Sequence, residues 1–208
     1  MNEGDLEAIQ ICDAHHEVHR VAAEPPDQAM NDTDRIPSWR KIELLIKSAF
    51  EPLKWYPQRF TQDDGDAAFY AALELKTACD EVAHHVLERF GNLLTVRNGA
   101  PVRFLHFLCV FKGKLKDICA LAERYPDLLG DGHNDACVFV ARHARQAGAD
   151  GLLSPSARNR PDGRCMTVFK RETLSPLRIE HAVLFAVNPG TDRVEYRFQP
   201  YVEQPYEW

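Results

Sequence analysis

This chain has no excess of positive charge, no paired-cysteine motif and no long apolar run. Each absence excludes something. Lys and Arg number 25 against 31 Asp and Glu, a net charge of −6. Such a chain repels a phosphate backbone unless its cations cluster. The longest basic cluster, Lys112, Lys114 and Lys116, is interrupted. Direct nucleic-acid binding is therefore disfavoured. The six cysteines (Cys12, Cys79, Cys109, Cys119, Cys137 and Cys165) include no C-x-x-C pair. Residues 1–20 are charged and lack the apolar core of a secretory leader. The cysteines thus read as small buried hydrophobes in a reducing cytoplasm. No stretch reaches the apolar length that spans a bilayer, so no membrane association is expected. No repeat or low-complexity segment is visible. Ser156 has no G-x-S-x-G setting, and Cys109 and Cys137 lie in apolar runs where a thiolate is disfavoured, so a nucleophilic mechanism is weakly supported.

What is present is an ordinary globular composition, 45% apolar and 27% charged over 208 residues. That length suits one domain with a small appendage, and a core that needs no disulfides. Residues 5–23 carry a weak helical pattern. "EPPDQAMNDTDRIP" (24–37) holds three prolines and four acids and reads as a linker. The expected organisation is an N-terminal helical appendage and linker over 1–37, then a catalytic domain over 38–208.

Within that domain, Trp39, Ile42, Leu45, Ile46 and Ala49 predict a helix over 38–50. An Asp63-Asp64-Gly65 turn leads into a short strand around Phe69. Ala78, Val82, Val86 and Leu87 predict a helix over 75–91, with Gly91 as terminator. "VRFLHFLCVF" (102–111) is aromatic and β-branched, which suits a buried strand. "GKLKDICALAERYP" (113–126) reads as a helix stopped at Pro126. Cys137, Val140, Ala141, Ala144 and Ala147 line another helix over 133–148, ended by Gly148. Leu152–Leu153 and Cys165–Phe169 read as short strands. Residues 181–199 read as a hairpin turned at Pro189-Gly190. The fold class is α+β with short strands, not a regular βαβ alternation.

Three blocks set polar residues against apolar structure. Arg59 and Tyr70 are eleven apart, as are Tyr70 and Glu81. Far downstream, "GLLSPSARNRPDGRCMTVF" (151–169) places Ser154, Ser156 and Arg158 before an apolar strand. Taken singly, Arg59 reads as a surface ion pair, Tyr70 as a core aromatic and Glu81 as a solvated helix position. Ser154-Pro155-Ser156 alone reads as a loop capping a turn. Histidines supply a rival signal. Cys12, His15, His16 and His19 could share a helix face as metal ligands. Glu81 with His84 and His85 has an E-x-x-H spacing, but the second motif and further carboxylates that di-iron chemistry needs are missing.

In order and spacing, "RF…GDAAFYAALELKTACDEVAHH" and the later "ARQAGADGLLSPSAR…G…MTVF" resemble the RES domain, a family named for an Arg, a Glu and a Ser. The resemblance covers roughly residues 55–170. It implies an ADP-ribosyltransferase-like mixed fold and activity on NAD+, with no metal required. Members are typically toxins of bacterial toxin–antitoxin pairs that degrade NAD+ by phosphorolysis or hydrolysis; one branch transfers ADP-ribose to protein. The usual partner is an antitoxin with an Xre-type helix-turn-helix domain.

By this resemblance the catalytic set is Arg59, Glu81 and Ser156, and the NAD-binding set is Arg59, Tyr70, Ser154, Ser156 and Arg158. Ser154 stands where many members carry an aromatic residue. The residue types suit those roles. Cleavage of an N-glycosidic bond builds positive charge on the ribose, and a carboxylate such as Glu81 stabilises it. Nicotinamide leaves as a neutral base, so no general acid is needed. Arg59 offers a fork donor for the pyrophosphate, and Arg158 a second phosphate contact. Tyr70 can stack on a ring and offer a hydroxyl. The two serines are expected at the mouth of the cleft, with Ser156 bonding the nicotinamide ribose or amide. The acceptor stays open between phosphate, water and protein, as does a homo-oligomeric state. A catalytically silent binding module is the reading from another class.

Overall fold

The computed structural model describes residues 1–23, 38–51, 59–61, 67–90, 99–129, 135–188, 190–191 and 193–201. The expected linker over 24–37, the Asp63-Asp64-Gly65 turn, the Gly91 terminator and Pro189 lie outside them. Seven strands form one sheet: β1 (Ile11–Ala23), β2 (Phe69–Ala72), β3 (Val102–Asp117), β4 (Gly151–Pro155), β5 (Arg164–Val168), β6 (Leu174–Asn188) and β7 (Arg193–Pro200). Their order is β1-β2-β5-β4-β3-β6-β7, and β1 also pairs with β3. That extra pairing closes β1, β2, β5, β4 and β3 into a ring, from which β6 and β7 continue. The helices are α1 (Glu3–Glu7), α2 (Ser38–Ala49), α3 (Leu75–Phe90), α4 (Cys119–Arg124) and α5 (Asp135–Gln146). The α+β class expected from the sequence is observed. Among the described residues no helix is long and apolar enough to cross a membrane.

Alternation along the strands sorts the core into two faces. On one face Val18, Phe69, Phe107, Cys109, Phe111, Met166 and Val168 meet Ile42 and Ile46 of α2. On the other, Val21, Ala72, Phe104, Val183 and Phe185 meet Ala78, Cys79 and Val86 of α3. Further along that second face, Leu152 and Phe169 pack on Cys137, Val140, Ala141 and Ala144 of α5. The small side chains of α5 let it lie close to the sheet, and Gly148 just beyond it takes φ 84°, a left-handed conformation that suits glycine after a helix.

Two expected helices are corrected. Residues 11–23 form the long strand β1, in register with β3 from Ile11↔Lys116 to Ala23↔Phe104. The helix before it is confined to Glu3–Glu7, where Asn2 and Asp5 make a reciprocal capping box. The weak helical pattern was outweighed by a distant partner strand that no local window contains. Residues 113–117 likewise continue β3, and the helix there is only Cys119–Arg124. Lys112, Lys114 and Lys116 alternate with Phe111, Gly113 and Leu115, a period of two that signals a strand. Strand β6 also starts at Leu174, ahead of the expected 181.

Smaller differences concern exposure. Cys12 is exposed, while Cys79, Cys109 and Cys137 are buried, and none of the six forms a disulfide. Trp39 and Leu87, assigned to apolar stripes, are 51% and 40% exposed. Strand β1 also breaks up the proposed ligand face. In a strand His15 and His19 fall on one side and Cys12 and His16 on the other.

Candidate active site

Helix α3 and the turn after β4 bring Glu81 and Ser156 together. The Ser156 hydroxyl donates to Glu81 Oε1 at 2.6 Å. Ser156 Oγ in turn accepts from the amides of Arg158 (3.0 Å) and Asn159 (2.9 Å). A serine hydroxyl has one proton to give and two lone pairs, so its capacity is filled. Both serines are 0% exposed, so they lie beneath the surface and not at its mouth. Ser154 Oγ has no hydrogen-bond partner among the described residues.

The turn between β4 and β5 is braced from below by the first turns of α3. Asn159 Nδ2 donates to Thr77 Oγ1 at 2.9 Å, and Thr77 Oγ1 donates to Glu74 Oε2 at 2.8 Å. The Arg164 amide reaches the same Glu74 oxygen at 3.3 Å. The turn closes on itself through Gly163 N–H to Asn159 O and Ser156 N–H to Gly163 O, both 2.8 Å. A Cβ at Gly163 would stand 2.4 Å from Asn159 O, so glycine is required by close approach.

Tyr70 and Cys165 complete the cluster from β2 and β5, whose residues pair as Tyr70↔Thr167 and Ala72↔Cys165. The Cys165 thiol donates to Glu81 Oε1 at 3.6 Å. Burial, and then the Glu81 charge, push that thiol far above its ordinary value, so it stays protonated. The Tyr70 hydroxyl accepts from the Phe60 amide at 3.0 Å. Burial raises the Tyr70 phenol well above its usual range. Arg59 donates to the Leu128 carbonyl and lies 4.9 Å over the Phe60 ring. Its positive charge works against both shifts, at Tyr70 and at Cys165, which puts it beside the same cluster.

The family model of the RES domain matches residues 34–188. The chain belongs to the RES domain family. In a search of solved structures, a chain of the M. tuberculosis MbcT-MbcA toxin-antitoxin complex is similar, with a TM-score of 0.51 and 12% identity. The match covers 90% of this chain and 92% of that one. At that identity the likeness speaks to the fold alone. A search of curated proteins finds no match.

In this RES domain, then, Arg59, Tyr70, Glu81 and Ser156 gather on one side of the sheet. Arg158 enters through its amide on Ser156. His84 and His85 turn instead to Glu88, at 3.4 and 3.3 Å. Sequence reasoning missed Cys165, whose only signal was its place on the strand after the Pro161-Asp162-Gly163 turn. It also missed the bracing role of Glu74, Thr77 and Asn159. A cavity of about 340 Å³ lined by Glu43, Ile46, Arg171, Glu172, Leu174 and Pro176 borders the α2 layer, on the opposite face of the sheet from Glu81.

Proposed function

We propose that this RES domain is an ADP-ribosyltransferase-like enzyme that consumes NAD+ by cleaving its nicotinamide–ribose bond. We propose further that it acts in the cytoplasm as the toxin of a toxin–antitoxin pair, held inactive by a cognate antitoxin of the Xre-type helix-turn-helix class. The observation that carries the reading is the Ser156–Glu81 hydrogen bond at 2.6 Å, beside Tyr70 and Arg59. It fixes one carboxylate oxygen and leaves the other for a substrate hydroxyl.

The chemistry follows from that arrangement. As the glycosidic C–N bond breaks, its electron pair passes to the pyridinium nitrogen and nicotinamide leaves neutral. Positive charge grows on the ribose, and the Glu81 carboxylate strengthens its hold on the ribose hydroxyls as it does so. Phosphate or water then forms the new C–O bond; attacking water loses a proton to solvent. Ser156 is a positioning residue here, because its hydroxyl is already saturated. This revises its expected role as a ligand of the nicotinamide side. Arg59 supplies a fork for the pyrophosphate, and Tyr70 a ring and hydroxyl for stacking and orientation.

The test is proton NMR of NAD+ with the purified protein, with and without phosphate. Nicotinamide release that yields a phosphorylated ADP-ribose only with phosphate identifies a phosphorylase. Release indifferent to phosphate identifies a hydrolase, unless labelled ADP-ribose appears on protein. The Glu81→Gln variant should fold and lose turnover by about 100-fold or more, the scale of losing one pre-organised transition-state contact. Wild-type turnover in that variant would overturn the assignment.

A further inference from the structure

Three histidines from three strands line up edge to edge across the α3 side of the sheet. The rings of His19 (β1) and His106 (β3) stand 5.3 Å apart at 10°, and those of His106 and His181 (β6) 5.6 Å apart at 10°. His19 Nδ1 lies 3.1 Å from His106 Nε2, and His106 Nδ1 lies 3.3 Å from His181 Nδ1. Glu180 Oε2 is 4.0 Å from His106 Nδ1. The ligand atoms of His106, Glu180 and His181 all fall within 4.8 Å of one another. His106 is 0% exposed.

Packing gives no reason for this set. The neighbouring positions on the same face, Val21, Phe104 and Val183, are apolar, and apolar residues would fill the histidine positions without burying ring nitrogens. A chain of neutral imidazoles could place one proton in each N···N gap. The spacing also suits another occupant. Two nitrogens bound at zinc distances in a tetrahedron lie about 3.3 to 3.4 Å apart. That is the separation of the two Nδ1 atoms.

We propose that His106 Nδ1, His181 Nδ1 and Glu180 Oε2 form a binding site for a divalent first-row transition metal of the zinc class, with His19 orienting His106. Imidazole and carboxylate together suit such an ion better than calcium or magnesium. Arg178 holds the other carboxylate oxygen, Oε1, through Nε at 2.8 Å and Nη2 at 2.7 Å. That fixes the Glu180 head and leaves Oε2 on the histidine side, 4.0 Å from His106 Nδ1, so the carboxylate must move in by more than about half an ångström to complete a tetrahedral edge. The Arg178 charge opposes the incoming cation, and its pairing with Oε1 offsets part of that cost.

Loading needs a tautomer change and no net proton release. His106 moves its proton from Nδ1 to Nε2 and His19 moves its own from Nδ1 to Nε2, so that His106 Nε2–H donates to His19 Nδ1 and His106 Nδ1 is free for the metal. A donor on the far ring nitrogen is the usual support of a metal-bound histidine. Water completes the coordination on the side where Glu180 is 27% exposed. The bound ion would clamp β3 to β6, while His19 ties in β1. The site stands apart from the NAD+ reading. His19 pairs with Ala72, and Ala72 with Cys165 beside Glu81, so His19 lies two strands from Cys165 on the same face, with His106 and His181 one and two strands farther on.

The experiment treats the full chain with chelator, then titrates it with Zn2+ by calorimetry and with Co2+ by visible absorption. One equivalent of Zn2+ and the visible bands of four-coordinate Co2+ are expected. His181→Ala and Glu180→Gln, both at partly exposed residues, should each weaken Zn2+ by at least about tenfold. His19→Ala should weaken it by about 10- to 100-fold. Cys12→Ser should leave it unchanged. No stoichiometric Zn2+ binding by wild type overturns the proposal whatever the variants do. So does binding that His181→Ala and Glu180→Gln leave intact.

Discussion

The Ser156 hydroxyl donates to Glu81 Oε1 at 2.6 Å, joining two residues that are 75 apart in the chain. The amides of Arg158 and Asn159 fill its lone pairs. The serine is thereby a fixed strut between a turn and a helix, and the carboxylate is its load.

Ser156→Ala is the direct test of that strut. The variant leaves two amides without their acceptor and frees Glu81 to rotate. Turnover should fall on the order of 100-fold through kcat, with the KM for NAD+ little changed. Ser156→Thr should recover part of it. Stability should drop by about 1–3 kcal/mol, read as a shift in the urea midpoint.

Gly163→Ala removes no functional group, yet should disable the site. The added methyl would stand 2.4 Å from Asn159 O and 2.9 Å from Thr77 Oγ1. The turn must move, and Ser156 with it. Destabilisation of about 1–3 kcal/mol is expected from the overpacking, with loss of nicotinamide release. Denaturant unfolding and the NMR assay read the two effects separately.

Acid stability should depend on Asp150. Burial alone would raise its pKa, but the Lys114 amide at 2.7 Å and the Lys170 ammonium at 2.6 Å hold it below the ordinary 3.8. A carboxylate lowered by folding contributes stability above its unfolded pKa and loses it as pH falls through the folded one. Urea midpoints should therefore decline from pH 5 toward pH 2. Asp150→Asn should flatten part of that decline and cost about 1–2 kcal/mol at neutral pH.

Alkylation at pH 7.5 should distinguish the thiols. Cys12 is exposed and should react first with iodoacetamide. Cys165 is held protonated and hydrogen-bonded to Glu81, and should lag far behind. Peptide mass spectrometry over a time course gives the order directly.

Local patterns were legible wherever the partner was also local. The α2 and α5 helices, strand β2 before α3, and the β6–β7 hairpin all follow from short-range periodicity. The failures share one cause. Residues 11–23 and 113–117 are strands because they lie beside each other in register, about a hundred positions apart in the chain. No window over either segment includes its partner; residues 113–117 do carry a local period of two, but lysine favours helix over strand and masks it. Arg59, Tyr70, Glu81 and Ser156 were singled out by an order and spacing that resemble the RES domain, and the structure adds the Ser156–Glu81 hydrogen bond. The Glu74–Thr77–Asn159 brace was not, because each of its residues is an ordinary cap or turn residue by itself.

The amino-acid sequence by itself determined the α+β class and the RES-type order of Arg59, Tyr70, Glu81 and Ser156. Only the tertiary structure decided that Ser156 serves Glu81, that Cys165 shares that carboxylate, and that His19, His106 and His181 meet. The reason is physical. Periodicity and turn chemistry act over a few residues, while a hydrogen bond or a shared ligand is set by strand register across the whole chain.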